Sequence, residues 1–271
     1  MLEELERNLR AVRARAYVRV VGTFRELSWV AFEIAMPLLS VGAYVFLYRA
    51  LGAPERYIGY VLLGGAMTAY WLNVLWSMAS QFYWEKQSGQ LEIFFITPVS
   101  RMSILAGMAA GGMFMSTARA LGTLVLGSWL FGVQYRMEGI WAGLGIFLLT
   151  LAALYGLGMV GASLFMMYGR EAWHTANLLQ EPIYLLSGFY FPVRALPRWL
   201  AAAAGIIPIT LGLDAIRQVV FPGAVDGLLD PGLEAALLAV SCAAYFVLAH
   251  AALRKLEDLA KREGRLTLRW Q

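Results

Sequence analysis

The sequence holds one cysteine, two histidines and three lysines, and only 15% of its 271 residues carry a formal charge. The lone Cys242 lies in an apolar tract, so an intrachain disulfide and a Cys-rich metal site are excluded. His174 and His250 fall in different apolar segments and outside any H-E-x-x-H pattern, so no metal site is expected. There is no G-x-x-x-x-G-K-[ST], which excludes ATP hydrolysis by a P-loop, and no G-x-S-x-G nucleophile turn. The first 28 residues are charged instead of apolar, so a cleaved signal peptide is not expected and the first apolar span should direct insertion. No catalytic residue and no bound cofactor is expected in this chain.

What is present is apolar surface. Hydrophobic residues make up 60% of the chain and the mean hydropathy is +0.61. A soluble domain of this size is about half apolar and about a quarter charged. So much apolar surface cannot hide in one core, so most of the solvent must be lipid. The tracts predict an all-α polytopic membrane protein with six transmembrane helices. They run over about residues 27–48, 58–82, 104–132, 141–168, from about 172, and 233–253. Residues 1–27 form an N-terminal segment, 28–253 the six-span domain, and 254–271 a basic tail.

In the N-terminal segment Leu2, Leu5, Leu9, Val12 and Ala16 share one helical face, with Arg7, Arg10, Arg13, Arg15 and Arg19 mostly elsewhere. A basic amphipathic helix of this kind is expected in the headgroup layer, against anionic membrane lipid. Nucleic acid is not an expected partner, since the basic face sits directly before a span and no nucleic-acid motif follows.

Residues 84–101 organise the rest. They lie between two charge-free tracts, 57–84 and 102–118, yet hold Glu85, Lys86, Glu92 and Arg101, so they should leave the hydrocarbon. Gly89 breaks the chain, Leu91, Phe94 and Phe95 can form one apolar ridge, and Thr97-Pro98 stops a helix. Such a short helix can press on a soluble partner, or it can be an interfacial loop that merely reverses the chain. Geometry alone leaves both open.

Six spans put both termini on one side. With the termini inside, the inner segments hold fifteen basic residues and the outer ones six (Arg49, Arg56, Arg136, Arg194, Arg198, Arg217). The positive-inside rule therefore predicts cytoplasmic termini and a cytosolic 84–101 loop. Three charges fall inside spans: Glu33, Arg119 and Glu181. Arg119 lies 18 residues beyond Arg101, which at about 1.5 Å per residue is near mid-bilayer. A charge at a helix centre costs about 2.5–3.5 kcal/mol on insertion scales. A pair, Glu33 with Arg119 or Arg119 with Glu181, could simply lock the bundle, or it could line a path and break on gating. Pro182 beside Glu181 offers a hinge. Phe189, Tyr190 and Phe191 cluster near the outer end of span 5 and read as an interfacial anchor. Tyr70, Trp71 and Trp76 pack against neighbouring helices or face a cavity. Pro197 and Pro208 flank an apolar segment too short to span, so residues 187–221 are expected as short re-entrant or interfacial helices on the outer side.

Two blocks carry a family resemblance. The first is E-K-x-x-G-x-L-E, four residues, then T-P-x-S-R, at Glu85, Gly89, Leu91, Glu92, Thr97, Pro98, Ser100 and Arg101. The second, in residues 182–217, is S-G-F-Y-F-P, then L-P-x-W-L, P-I-T and D-A-I-R. In this order they resemble the permeases of type-2 ATP-binding-cassette exporters. The resemblance implies a cell-membrane permease that pairs with a second copy (homodimer or close heterodimer) and with separate P-loop ATPase subunits, which use ATP and Mg. It implies that residues 85–98 form the coupling helix, where Leu91, Phe94 and Phe95 supply burial and Glu85, Glu92 and Arg101 set register. It gives the short second loop around Arg170 a lesser ATPase contact, and it makes the N-terminal helix touch the ATPase. It also implies two short helices dipping between spans 5 and 6, an exit bordered by the region of Phe189, Tyr190 and Phe191, and a cargo among drugs, lipids and lipid-linked glycans. The apolar, Gly-rich spans favour a hydrophobic or amphiphilic one. The rival expectations are an ion-coupled secondary transporter, with Glu33, Arg119 and Glu181 as a relay, and a membrane scaffold that moves nothing.

Overall fold

The computed structural model describes residues 2–25, 27–89, 93, 96–168, 170–221 and 227–262. These residues are helical with short connections, and no strand occurs among them. Helices are what this composition demands, because a chain in lipid must satisfy its backbone polar groups within each segment. The elements in order are α1 (Leu2–Phe24), α2 (Leu27–Ala50), α3 (Arg56–Leu72), a π-helical segment (Asn73–Ala79), α4 (Gln81–Gln87), α5 (Arg101–Phe131), α6 (Ile140–Tyr168), α7 (Arg170–Leu186), α8 (Arg198–Ala204), α9 (Pro208–Val220) and α10 (Pro231–Arg262).

Among the described residues five helical stretches are long and apolar enough to cross a membrane: Val30–Ala50, Arg56–Gln87, Arg101–Phe131, Met137–Tyr168 and Pro231–Lys255. They match five of the six expected spans. The other, α7, has 17 residues with Pro182 inside it. At about 1.5 Å per residue it reaches about 26 Å, short of the roughly 30 Å hydrocarbon core. It also carries Glu171, His174, Gln180 and Glu181, which lower its apolarity. α8 and α9 meet at 106°, a geometry of either a broken span or a re-entrant loop.

α6 is the centre of the bundle. α10 packs along it, and α9 and the π segment cover other faces. The core holds the fully buried rings of Tyr70, Phe82, Tyr155 and Phe189. Several hydroxyls inside the spans bond back to their own helix, as in Thr150 to the Ile146 carbonyl (2.7 Å) and Ser163 to that of Met159 (3.2 Å), so these cost little.

The second span differs from the single α-helix expected over 58–82. It continues as one rod to Gln87, with the π turn in its middle. Wide turns of this kind are rare and often mark functional positions. Glu85 and Lys86 therefore sit in the last turn of the rod, and both are buried.

α1 packs against a neighbouring helix. It lies along α5, and the two run parallel: Asn8 meets Ser100, Val12 and Arg15 meet Gly107, and Ala16 and Arg19 meet Gly111. A Cβ on Gly107 would lie 2.7 Å from the Val12 carbonyl oxygen, and one on Gly111 would lie 3.1 Å from that of Ala16. Small residues four apart let the two backbones approach this closely. α2 then follows α5 further along, with Ile34 against Gly122 and Leu38 against Gly127. The face of α1 that packs on α5 is not its leucine face. Leu5 and Leu9 are exposed, while Arg15 and Arg19 point into the packing.

Candidate functional site

The stems of the 84–101 loop are well placed by their neighbours. After α4 the chain turns at Gly89, whose φ of 75° is a left-handed conformation that favours glycine. Leu91, Glu92, Phe94 and Phe95 lie outside the described residues. Ile93 and Ile96 are exposed, Ile96 at 82%. Thr97 and Pro98 are exposed as well, and the Thr97 hydroxyl donates to the Ile93 carbonyl at 3.1 Å. Arg101 opens α5, half-buried. The described part of the loop thus offers apolar side chains outward, as a docking element would.

Glu85 does not join that surface. It is 4% exposed and pairs with Arg15 of α1, while Gln81 Nε2 donates to the same carboxylate at 2.8 Å. Its expected part in setting register on an outside partner meets a carboxylate turned inward. On the far stem the Ser100 backbone N–H donates to Asn8 Oδ1 at 3.0 Å. One helix, α1, therefore holds both stems. Arg19, one turn on, donates to the Met108 carbonyl at 3.5 Å, and burial draws its guanidinium below the ordinary value. Arg170 begins α7, and its side chain lies outside the described set.

Beside the rod is an apolar groove of about 490 Å³. Its walls come from the π segment (Val74, Leu75), from α6 (Gly158, Gly161) and from α7 (Ala172, Ala176). Gly158 and Gly161 lower the α6 wall, since a side chain there would run into Val74 or Ala79. Trp71 faces the groove, whereas Tyr70 is packed and donates to Thr117 Oγ1 at 2.9 Å. Trp76 Nε1 donates to Gln180 Oε1 of α7 at 2.8 Å, and its ring lies 4.7 Å from that of Trp173. Trp173 also meets Trp84 (5.9 Å) and Phe165 (6.3 Å). α7, otherwise held by few contacts, is thus pinned to the rod by indoles.

The intramembrane charges divide. Arg119 Nε lies 2.7 Å from Glu33 Oε2, with both side chains largely buried. Of the two pairings the sequence allows, this one forms. Glu181 is exposed on α7 and does not meet Arg119, so the Arg119–Glu181 pairing is corrected.

Phe189 is fully buried, with Tyr190 and Phe191 half-buried, so the cluster is core and not a simple surface anchor. The Tyr190 ring stacks on Tyr44 at 4.3 Å and 11°. What holds this turn is Arg217, counted from the sequence as an outer loop charge but fully buried here. Its guanidinium donates to the carbonyls of Gly188 (2.7 Å), Phe189 (2.8 Å), Phe191 (3.3 Å) and Tyr60 (2.8 Å). Gly64 permits the approach, since a Cβ there would collide with the Phe189 carbonyl. Asp214, one turn earlier, accepts from the Leu228 backbone N–H at 2.6 Å. The D-A-I-R run could have signalled this clamp by its helical spacing, because Asp214 and Arg217 share a face, but the carbonyls it would hold are remote in sequence. Among the described residues no group of three or more His, Cys, Asp or Glu could hold a metal ion.

The model of a family described as ABC-2 type transporter matches residues 14–221. The chain is 27% identical over 139 residues to the "Probable multidrug ABC transporter permease YbhR" of Escherichia coli strain K12, covering 50% of this chain and 36% of that protein. It is 24% identical over 163 residues to the "Inner membrane transport permease YadH" of the same strain, covering 59% of this chain and 62% of that protein. The matches thus span less than two thirds of either relative.

Proposed function

This chain belongs to the ABC-2 type transporter family, and from that premise we propose that it is the permease subunit of an ATP-driven exporter of hydrophobic or amphiphilic cargo. ATP is bound and hydrolysed, with Mg, on separate P-loop subunits that dock on the 84–101 loop. The observation that carries this reading is mechanical. The helical rod Arg56–Gln87 ends at the loop stem, and its π segment forms one wall of the 490 Å³ groove. A push on the loop therefore acts directly on a cavity of the size and apolarity of a small amphiphile. The described loop residues Ile93 and Ile96 give the ATPase an apolar contact, and Leu91, Phe94 and Phe95 complete the ridge drawn from the sequence.

The orientation follows from the charge bias, with the termini and loop cytoplasmic and cargo leaving outward from the cytoplasm or inner leaflet. A second permease copy would cover α7, whose Leu178 and Leu185 are exposed. YbhR is named a multidrug permease, and a lipophilic drug-like cargo fits the same groove.

The test is purification from the native membrane with every bound chain identified by mass. We expect an ATPase in stoichiometric amount, lost on Ile96→Asp, which alters an exposed side chain and leaves folding intact. Ala172→Trp should keep the ATPase but fill the groove and lower ATP-dependent movement of a lipophilic dye in vesicles. A chain that purifies without an ATPase and moves solute under an ion gradient would instead favour a relay through Glu33 and Arg119.

A further inference from the structure

The end of the bundle away from the 84–101 loop holds a second hollow. The rod Arg56–Gln87 and α5 each have one end at that loop, and their other ends, at Arg56 and Phe131, come together around this space. It measures about 340 Å³, within the range of about 300–1,000 Å³ of small-ligand sites. The turn from α2 to α3 contributes Arg49, Glu55 and Arg56. The turn after α5 contributes Phe131 and Gln134, and Phe221, which ends α9, completes the lining. The groove beside the rod is mostly apolar, whereas this hollow brings two guanidiniums, a carboxylate and an amide to one space.

Burial orders these groups by depth. Arg49, Glu55 and Gln134 are exposed and form the rim, Arg56 is half-buried, and Phe221, at 2% exposure, lies deepest. The Phe221 ring packs against Tyr60 and Tyr135, with centroids 5.7 and 5.5 Å away, and the Arg56 guanidinium lies 5.5 Å from the centre of the Tyr57 ring. These groups are already held in place, which lowers the ordering cost of taking up a ligand.

We propose that this hollow binds the headgroup of a phospholipid, with the phosphodiester on Arg49 and Arg56, a headgroup hydroxyl or ammonium on Glu55, and the root of an acyl chain against Phe131 and Phe221. With the termini cytoplasmic, the lipid belongs to the outer leaflet. Guanidiniums take phosphate oxygens through paired, parallel hydrogen bonds. Two of them against one carboxylate leave a single net positive charge, which matches the single negative charge of a phosphodiester. A free phosphate would meet only the charged rim, while a lipid also uses the aromatic depth. An arginine at the end of α2 complements the helix dipole, and a lone interfacial arginine reaches headgroups anywhere. What sets these two apart is that they come from different helices and converge on a concave space with rings below. A lipid seated here ties the α2–α3 turn to the turn after α5. The inference is independent of ATPase docking and of the cargo.

The experiment uses the full chain, purified from the native membrane in maltoside, a detergent without phosphate, and stripped of lipid. Its thermal midpoint is followed as dihexanoyl phosphatidylglycerol is added. Dihexanoylglycerol, which has the same chains and no phosphate, and inorganic phosphate are titrated in parallel. We expect a saturable rise with the phospholipid and none with the other two. Apparent affinity should fall about tenfold in Arg49→Gln and in Arg56→Gln, since each removes a charge-assisted contact. It should hold in Arg198→Gln, an exposed arginine outside the hollow. Arg49 is exposed at the end of its helix, so its variant reads the site even if Arg56→Gln fails to fold. No rise with the phospholipid, an equal rise with dihexanoylglycerol, or parental affinity in Arg49→Gln overturns the site. An equal rise with inorganic phosphate alone overturns the lipid assignment and makes the ligand a free anion.

Discussion

Replacing Arg217 by methionine tests the least expected feature of this fold. The side chain keeps nearly the same reach but loses every donor. Three short bonds, to the carbonyls of Gly188, Phe189 and Tyr60 at 2.7–2.8 Å, would go, with a longer one to Phe191. Hydrogen bonds to a charged group contribute about 1.5–3 kcal/mol each, so the three short ones amount to roughly 4.5–9 kcal/mol. Desolvating the guanidinium costs several kcal/mol, which offsets part of that. The Tyr60 carbonyl also keeps its place in the α3 helix. The expected net loss is about 3 kcal/mol, with the 188–191 turn freed from Tyr60. On the scaling of soluble domains this lowers the thermal midpoint by roughly 6–12 °C. The assay is tryptophan fluorescence of the detergent-purified protein on heating, with Arg198→Met, an exposed arginine nearby, as the control. A midpoint for Arg217→Met that matches the control would refute the clamp, and the buried guanidinium would then be a passenger in a well-packed core.

Other outcomes follow from the same contacts. Gly107→Val places a branched side chain against the Val12 carbonyl, already 2.7 Å from a Cβ, so α1 should lift from α5 and trypsin should cut faster within α1 at Arg7, Arg10 and Arg13. Unchanged cleavage would mean that α1 does not rest there. A double-mutant cycle on Glu33→Gln and Arg119→Gln should give a coupling energy of about 0.5–3 kcal/mol in resistance to denaturation, and additive losses would dissolve the pair. Glu181→Gln breaks no internal ion pair, so insertion, assembly and thermal midpoint should hold while transport falls if α7 faces the cargo. Transport equal to the parent would remove Glu181 from the path.

The sequence carried the helices well. Long apolar tracts interrupted at Gly52, Gly89 and Gly132 read directly as spans, because each turn needs a positive φ and each tract exceeds the hydrocarbon thickness. The loop at 84–101 was legible from its charges and from Thr97-Pro98. What failed to show was direction around each helix axis. Leu5 and Leu9 mark the face of α1 expected toward lipid and are exposed, while the face that packs on the glycines and a carbonyl of α5 carries Arg15 and Arg19. Glu85 reads as a loop charge because it lies between two charge-free tracts. A π turn upstream changes which way the last turn of the rod faces, and no spacing rule in the sequence announces it. Glu181 was placed inside because it lies in an apolar tract, yet α7 presents that side outward.

Composition by itself determined that the chain lives in lipid, that its elements are helices, that it lacks a P-loop and that its polar loop lies between charge-free tracts. These are properties of single segments, fixed by hydrophobicity and local backbone preference. Tertiary structure alone decided the pairings: Arg15 with Glu85, Arg119 with Glu33 and not Glu181, and Arg217 with four carbonyls, one of them 157 residues away. The physical reason is that burying a charge is tolerable only beside a suitable partner, and which groups are neighbours depends on how whole helices rotate and pack, an outcome summed over many weak contacts that no one stretch of sequence encodes.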